Sequence, residues 1–273
     1  MRIGLLACLL AGAAGWAQAQ QVDALETAEA VRASQAAVGR VIAGHVLQDR
    51  EGREVRFESL RGKPLLVSFI YTGCFTVCPT ATRELDNAVA TLQARHGPNA
   101  FRVVSIGFNP PADHPQSMRA FARQHRIDRP NWDFLSLQPQ AVARLATDFG
   151  FRYTALAGGF EHVLQVSVLD ARGRLVQQVY GDRPPVLQLE ETLTQLVAGE
   201  PVAPPGALAT LVEEIRILCT VYDPRTGSYR VDYGLALEVA GGVTFILFMA
   251  LYMLKEWWTR RRERRHAARP GRA

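Results

Sequence analysis

Cysteine is scarce in this chain. Four among 273 residues are too few to staple a small scaffold with disulfides, so stability must come from a hydrophobic core. Charge of one sign is also scarce, except at one end. The formal net charge is +5, but residues 255–273 carry eight Lys/Arg against two Glu, a net +6 that leaves −1 for everything before them. The body has no basic excess and no fold-level signature of nucleic-acid binding, so no nucleic-acid partner is expected. No repeat recurs at periods of roughly 20–50 residues, which argues against solenoids and propellers. Hydrophobic residues at 48% and charged residues at 21% exclude a mainly disordered, collagen-like or coiled-coil chain. The length admits one domain of about 150 residues with appendages, or two small domains.

Long apolar runs are confined to the two ends. Met1-Arg2 precedes the stretch Ile3 to Trp16 and then Ala17-Gln18-Ala19, the order of a secretory signal cleaved after Ala19. The stretch is short for a bilayer span, which weighs against an uncleaved anchor. Leu6-Ala7-Cys8 imitates a lipoprotein box, but the apolar run continues past Cys8, so Cys8 is expected to leave with the signal. Leu235 to Leu254 is apolar apart from Glu238 and Thr244, and about 20 such residues cross a bilayer. Trp257 and Trp258 follow at interfacial depth, and the Arg-rich tail marks the cytoplasmic side. The alternative is a buried core helix with a solvated tail. The expected topology is a signal at 1–19, an exported domain, a transmembrane helix at 233–254 and a cytoplasmic tail at 255–273. That places the working domain in the periplasm, on a bacterial inner membrane.

Between these ends, residues 20–38 read as a leader. Residues 39–61 suggest a β-hairpin about Asp49-Arg50-Glu51-Gly52. Strands are expected at 64–71, 101–108, 132–137, 163–169 and 174–180, with Asp170-Ala-Arg-Gly173 turning between the last two. Helices are expected at 79–93, 115–125, 139–149 and 186–198 from apolar spacing, with Pro79 in a first turn and Gly150 as a stop. Alternation of this kind is an α/β sandwich with a mixed sheet. Its order matches a thioredoxin-like fold with an N-terminal β-hairpin over 39–198, joined to one C-terminal transmembrane helix. Residues 199–206 are a linker by composition. In the juxtamembrane segment 207–232, Leu208, Leu211, Val212, Ile215 and Cys219 share one helical face, and Cys219 reads as a packed thiol.

The chemistry concentrates at Cys74-Phe-Thr-Val-Cys78-Pro79, between the strand ending at Tyr71 and the helix starting near Pro79. At a helix N-terminus, unpaired N–H groups and the positive dipole end lower a thiol's pKa, and the thiolate is the form that binds metal or attacks disulfides. Three intervening residues let both sulfurs approach one ion, or close a disulfide. A disulfide across so short a loop adds little stability. Two thiolates suit Cu(I) above hard ions, whereas structural zinc wants four ligands and there is no second cysteine pair. His162 ends Gly158-Gly159-Phe160-Glu161-His162, just before a strand, and is the candidate third ligand, although a lone histidine is more often a surface or core residue. His45, His96 and His125 have no constellation around them.

These residues resemble the Sco/SenC family of membrane-anchored copper proteins that serve cytochrome c oxidase assembly. The likeness covers about Gly39 to Ala198. It rests on Gly62-Lys63-Pro64, on Phe69-Ile-Tyr71-Thr72 leading into the CxxxCP element, and on Val104-Ser105-Ile106 followed by Asn109-Pro110 and Asp113-His114-Pro115. His162 ahead of Leu169-Asp170-x-x-Gly173 completes it. The resemblance implies Cys74, Cys78 and His162 as copper ligands, Cu(I) being held by the thiolates and Cu(II) admitted by His162. Cys74 and Cys78 are equally implied as a redox-active, disulfide-forming pair. Implied partners are a copper-binding subunit of cytochrome c oxidase or another copper chaperone. Asn109 stands where relatives usually carry an acidic residue, and His114 where they carry Thr. Asp113 and Asp170 read as turn-fixing residues. Many relatives are anchored at the N-terminus, whereas this chain is anchored at the other end.

The leading expectation is a metallochaperone, which delivers rather than turns over. A thiol:disulfide reductase competes, with the same pair as attacking and resolving thiols. Such reductases typically carry CxxC and a cis-proline before the strand that here begins near Val163, where this chain has CxxxC and Glu161-His162. A peroxidase is disfavoured, because the same loop offers no arginine-supported peroxide site. A copper-dependent redox sensor is the third class, with Cys219 as its clue.

Overall fold

The computed structural model describes residues 29–75, 77–110, 112–156, 159–181, 183–202, 220–223, 228–231 and 233–267. The expected signal at 1–19 with Cys8, most of the expected leader, the expected 208–219 helical face with Cys219, and the end of the tail lie outside the described residues.

From the N-terminus, α1 (29–35) leads to β1 (Val46–Gln48) and β2 (Glu54–Arg56), which pair as the expected hairpin. There follow β3 (Leu65–Ile70), α2 (Val77–His96), β4 (Arg102–Gly107), α3 (Pro115–Gln124), β5 (Trp132–Leu137) and α4 (Pro139–Phe149). Next come β6 (Tyr153–Leu156), β7 (Gly159–His162), β8 (Gln165–Leu169), β9 (Leu175–Tyr180) and α5 (Val186–Val197). Seven strands form one sheet in the order β2-β1-β5-β4-β3-β8-β9. β3, β4 and β5 are parallel, whereas β8 runs antiparallel to β3 and β9 antiparallel to β8. The half β4-β3-β8-β9, with α2 and α5 packed on each other, is the thioredoxin-like core. β5, β1 and β2 widen its edge.

β3, β4, β5 and β8 are buried along nearly their whole length. Only a sheet covered on both faces permits that, and it explains their unbroken apolar runs. Polar groups inside the sheet are paired. Ser68 Oγ and Ser105 Oγ lie 2.9 Å apart, and the Trp132 indole N–H donates to Ser105 Oγ at 3.0 Å. α4 begins with Pro139 in its first turn and ends at Gly150, which has φ 61°. The Phe151 N–H reaches back to the Ala146 carbonyl at 2.8 Å, the left-handed stop that glycine permits.

Two stretches depart from the sequence expectation. Residues 158–162 read as a loop ahead of a strand at Val163, yet Gly159–His162 is itself a strand. Tyr153 pairs with His162 and Leu156 with Gly159, while β8 starts only at Gln165. Local antiparallel pairing satisfies backbone groups that a loop would leave to water. His45 has a partner after all: it is buried, and its Nε2 lies 2.7 Å from Asp148 Oδ2.

The chain divides into two compact units, with the sandwich in the first. The second is dominated by α6 (Tyr233–Ala267). Ahead of it, β10 (Thr220–Asp223) pairs with β11 (Ser228–Val231). Residues Ala240–Trp258 of α6 are long and apolar enough to cross a membrane, with mean hydropathy 1.2. Exposed Glu238 precedes that window. The helix continues to Ala267, so most of the basic tail extends the same helix.

Candidate metal centre

β3 and β4 end on the same edge of the sandwich, and antiparallel β8 starts there. The β3–α2 connection with Cys74, the β4–α3 connection with Asp113, and the β6–β7 hairpin with His162 therefore converge. No disulfide joins Cys74 and Cys78, which are only 6% and 2% exposed and both belong to the hydrophobic core. Cys78 lies in the first turn of α2, where backbone N–H groups have no helical acceptor. Its own N–H donates to Cys74 Sγ at 3.3 Å. The thiol-to-thiol hydrogen bond with Cys74 pushes the Cys78 thiol well above its ordinary range, and burial and negative charge at Cys74 add to the shift. Phe75, between them, is 88% exposed.

Asp113 fixes the cysteine loop from behind. It is almost fully buried; Oδ1 accepts from the Thr72 N–H at 2.7 Å and from Thr72 Oγ1 at 2.8 Å, and Oδ2 accepts from the Asn109 N–H at 2.7 Å. Burial raises its pKa despite those three donors. Asp170 holds the β8–β9 turn, accepting from the Arg172 and Arg174 N–H groups at 2.9 and 2.8 Å. Both aspartates therefore do the turn-fixing expected of them. His114 caps α3, its Nδ1 accepting from the Ser117 N–H at 3.3 Å.

His162 is half-buried against an aromatic wall, with ring centroids 5.3 Å from Phe151, 5.4 Å from Phe108 and 6.4 Å from Tyr71. Burial lowers its pKa, opposed by the Val163 carbonyl and by charge at Cys74, so the imidazole is neutral at neutral pH. Nδ1 lies 3.2 Å from the Val163 carbonyl oxygen. A proton on Nδ1 donates there and leaves the Nε2 lone pair free for a ligand. The structure brings the two cysteines into contact and keeps His162 within reach of Cys74's charge. It does not close the three into one cluster: among the described residues, no three His, Cys, Asp or Glu side chains are gathered closely enough to hold an ion. As chemistry, two soft sulfurs and a neutral imidazole fit Cu(I) and not a hard cation.

Sequence reasoning passed over Tyr71, Phe108, Phe151 and Phe160, whose rings join the hairpin to the strand ends. Tyr71 lies 5.2 Å from Phe160 and 5.5 Å from Phe108, and Phe108 lies 5.1 Å from Phe151. Tyr71 left a signal, a hydroxyl-bearing aromatic at the end of an apolar strand three residues before Cys74.

Fold and site define a class, a thioredoxin-like domain with two buried thiols at the N-terminus of its first core helix and a histidine hairpin beside them. The SCO1/SenC family matches residues 33–198, and this chain belongs to that family. The SCO1 protein homolog of Bacillus subtilis is 34% identical over 89 residues, a stretch that is 33% of this chain and 45% of that protein. The match thus spans less than half of that relative's length. A putative electron transfer protein from Aquifex aeolicus VF5 superposes with a TM-score of 0.54 at 27% identity, over 60% of this chain and 95% of that one. Arabidopsis thaliana ScoI, solved with copper bound, shares the fold with a TM-score of 0.51 at 20% identity, over 58% of this chain and 99% of that one.

Proposed function

We propose that this chain is a membrane-anchored copper metallochaperone. Cys74 and Cys78 take copper as thiolates, His162 completes the site, and the cargo passes by ligand exchange to a copper-binding subunit of cytochrome c oxidase or to another copper chaperone. The observation that carries this reading is the contact between two buried cysteines at the start of α2, with a neutral imidazole on the neighbouring hairpin. Family membership supports it. Loading displaces the proton that Cys78 holds, while the exposed loop around Phe75 gives an incoming thiolate a solvent-side approach. The working domain at 39–198 lies in the periplasm of a bacterial cell, α6 crosses the inner membrane, and the basic tail is cytoplasmic.

Cu(I) titration of the full chain in detergent, against a colorimetric Cu(I) chelator, tests this. One tight copper per chain is expected, lost in Cys74→Ser and weakened in His162→Ala. Absence of tight binding by the wild type defeats the reading.

The asymmetry between the thiols also suits a reductase, the second reading. The Cys74 thiolate attacks a partner disulfide and expels one partner thiolate. Cys78 then loses its proton and attacks the mixed disulfide, releasing the second thiol and leaving Cys74–Cys78 oxidised. Catalytic reduction of disulfides in an oxidase-derived peptide, without tight copper binding, selects this reading.

A further inference from the structure

The apolar window of α6 ends at Trp258, yet the helix continues to Ala267. Its last turns carry Lys255, Arg260, Arg261, Arg262, Arg264 and Arg265 against Glu256 and Glu263. Their order around the helix is more telling than their order along it. Positions spaced by 3, 4, 7 and 8 residues share one helical face. Counted from Trp257, those positions are Arg260, Arg261, Arg264 and Arg265. The stripe holds four of the helix's five terminal arginines and neither acid. Glu256 and Glu263 share another face, with Thr259 and His266.

Neither orientation nor helix stability explains that segregation. The positive-inside rule counts Lys and Arg near the end of a span, and the helix dipole favours cations in the last turn. Both depend on position along the axis and not on face. Arg260 with Arg264 and Arg261 with Arg265 even set like charges four residues apart, which weakens an isolated helix. A row of external anions offsets that repulsion, and the place of the stripe says which anions. At a rise of about 1.5 Å per residue, its arginines lie about 3 to 10 Å past Trp258 along the axis. A headgroup layer is roughly 5–8 Å thick on each side of the bilayer, so the phosphates lie within a Debye length. Arginine takes phosphate oxygens in a bidentate fork, and indoles settle where acyl chains meet headgroups. A second copy of this face would meet its own charge. Resting on the reading of α6 as a membrane span, we infer that the stripe of Trp257, Arg260, Arg261, Arg264 and Arg265 is a recognition face for anionic phospholipid headgroups. It sets which way α6 rotates and leans in the bilayer, which a count of charges does not.

The test uses the full chain in phosphatidylcholine nanodiscs with a trace of spin-labelled phosphatidylglycerol or spin-labelled phosphatidylcholine. Electron paramagnetic resonance reads the motionally restricted fraction of each label. Both leaflets are identical there, so the reading does not depend on orientation. The wild type should prefer phosphatidylglycerol by about fivefold. Exchanging two neighbours, Glu263→Arg with Arg264→Glu, keeps the net charge at +5 and sets an acid inside the stripe. That variant should bring the two lipids close to parity. Should the exchange disturb the helix, two single variants replace it. Arg264→Gln should about halve the preference, whereas Arg262→Gln removes the same charge from outside the stripe and should leave it in place. Wild-type preference in the exchanged variant, or equal losses in the two single variants, means that only the number of charges counts and overturns the inference. Equal restriction of both lipids by the wild type also overturns it, and retention on immobilised poly-glutamate would then assign the face to an acidic protein. A chain missing from the nanodisc fraction defeats the membrane-span reading, and the inference with it, and so is told apart from a chain that enters without preference.

Discussion

Cys78 holds its proton more tightly than a free thiol because Cys74 bonds to it in a dry setting. In the proposed function copper uptake expels that proton, so apparent Cu(I) affinity should rise from about pH 6 to about pH 8, with protons released on loading. A flat affinity across that range contradicts the assignment of Cys78 as a ligand. His125 behaves differently. It packs on Phe121, and burial, helped by the Arg83 charge, lowers its pKa. An unfolded histidine titrates near ~6.5. The contribution of His125 is therefore complete above that value and is lost as pH falls through the lower folded one. Thermal melts of His125→Gln at neutral and mildly acidic pH should show a shallower acid loss than wild type. Asp113→Ala strips the Thr72 and Asn109 N–H groups of their acceptor and should cost about 1–3 kcal/mol in denaturant unfolding. It should also weaken copper binding, because Thr72 lies two residues before Cys74.

Among the elements, β4 ties the sheet together through Ser105, which joins Ser68 of β3 to Trp132 of β5. Ser105→Ala orphans a buried indole N–H and should cost about 1–3 kcal/mol, while a denaturation midpoint equal to wild type would refute that role. Elements such as these were readable from composition alone. β5 and α4 occupy the residues their patterns predicted, because punctuation bounds them: Pro139 opens the helix and Gly150 closes it. The β6–β7 hairpin was not readable in the same way. In the sequence the run Ala157-Gly158-Gly159 looks like a loop, although β-forming Tyr153-Thr154 before it and Phe160 after it were the available signal. The His45–Asp148 pair spans 103 residues and only the folded sheet brings it together. At the site, both cysteines were visible from their spacing at a helix start. Tyr71 looked like an ordinary strand residue, because what distinguishes it is a contact with Phe160, 89 positions further on.

At the scale of the whole molecule, the sandwich contains its own core, while no residue of the Ala240–Trp258 stretch of α6 is buried. A chain ending at residue 202 should partition to the aqueous phase and melt at the temperature of the sandwich transition in the full chain. The full chain should sediment with membranes, and a cysteine appended after Ala273 should react with an impermeant maleimide in spheroplasts only after they are permeabilised. Reaction in intact spheroplasts would reverse the proposed orientation.

The antiparallel pairing of β3 with β8 has a further consequence. Cys74 follows β3 and His162 precedes β8, and the two strands meet only through the long-range pairing in which Leu65 faces Leu169. Such a non-local pairing must offset the entropy of closing the long intervening loop. In the proposed function, a chain exported N-terminus first would present its cysteines before their histidine, and capture of copper by the thiol pair alone would lack the imidazole that completes the proposed site.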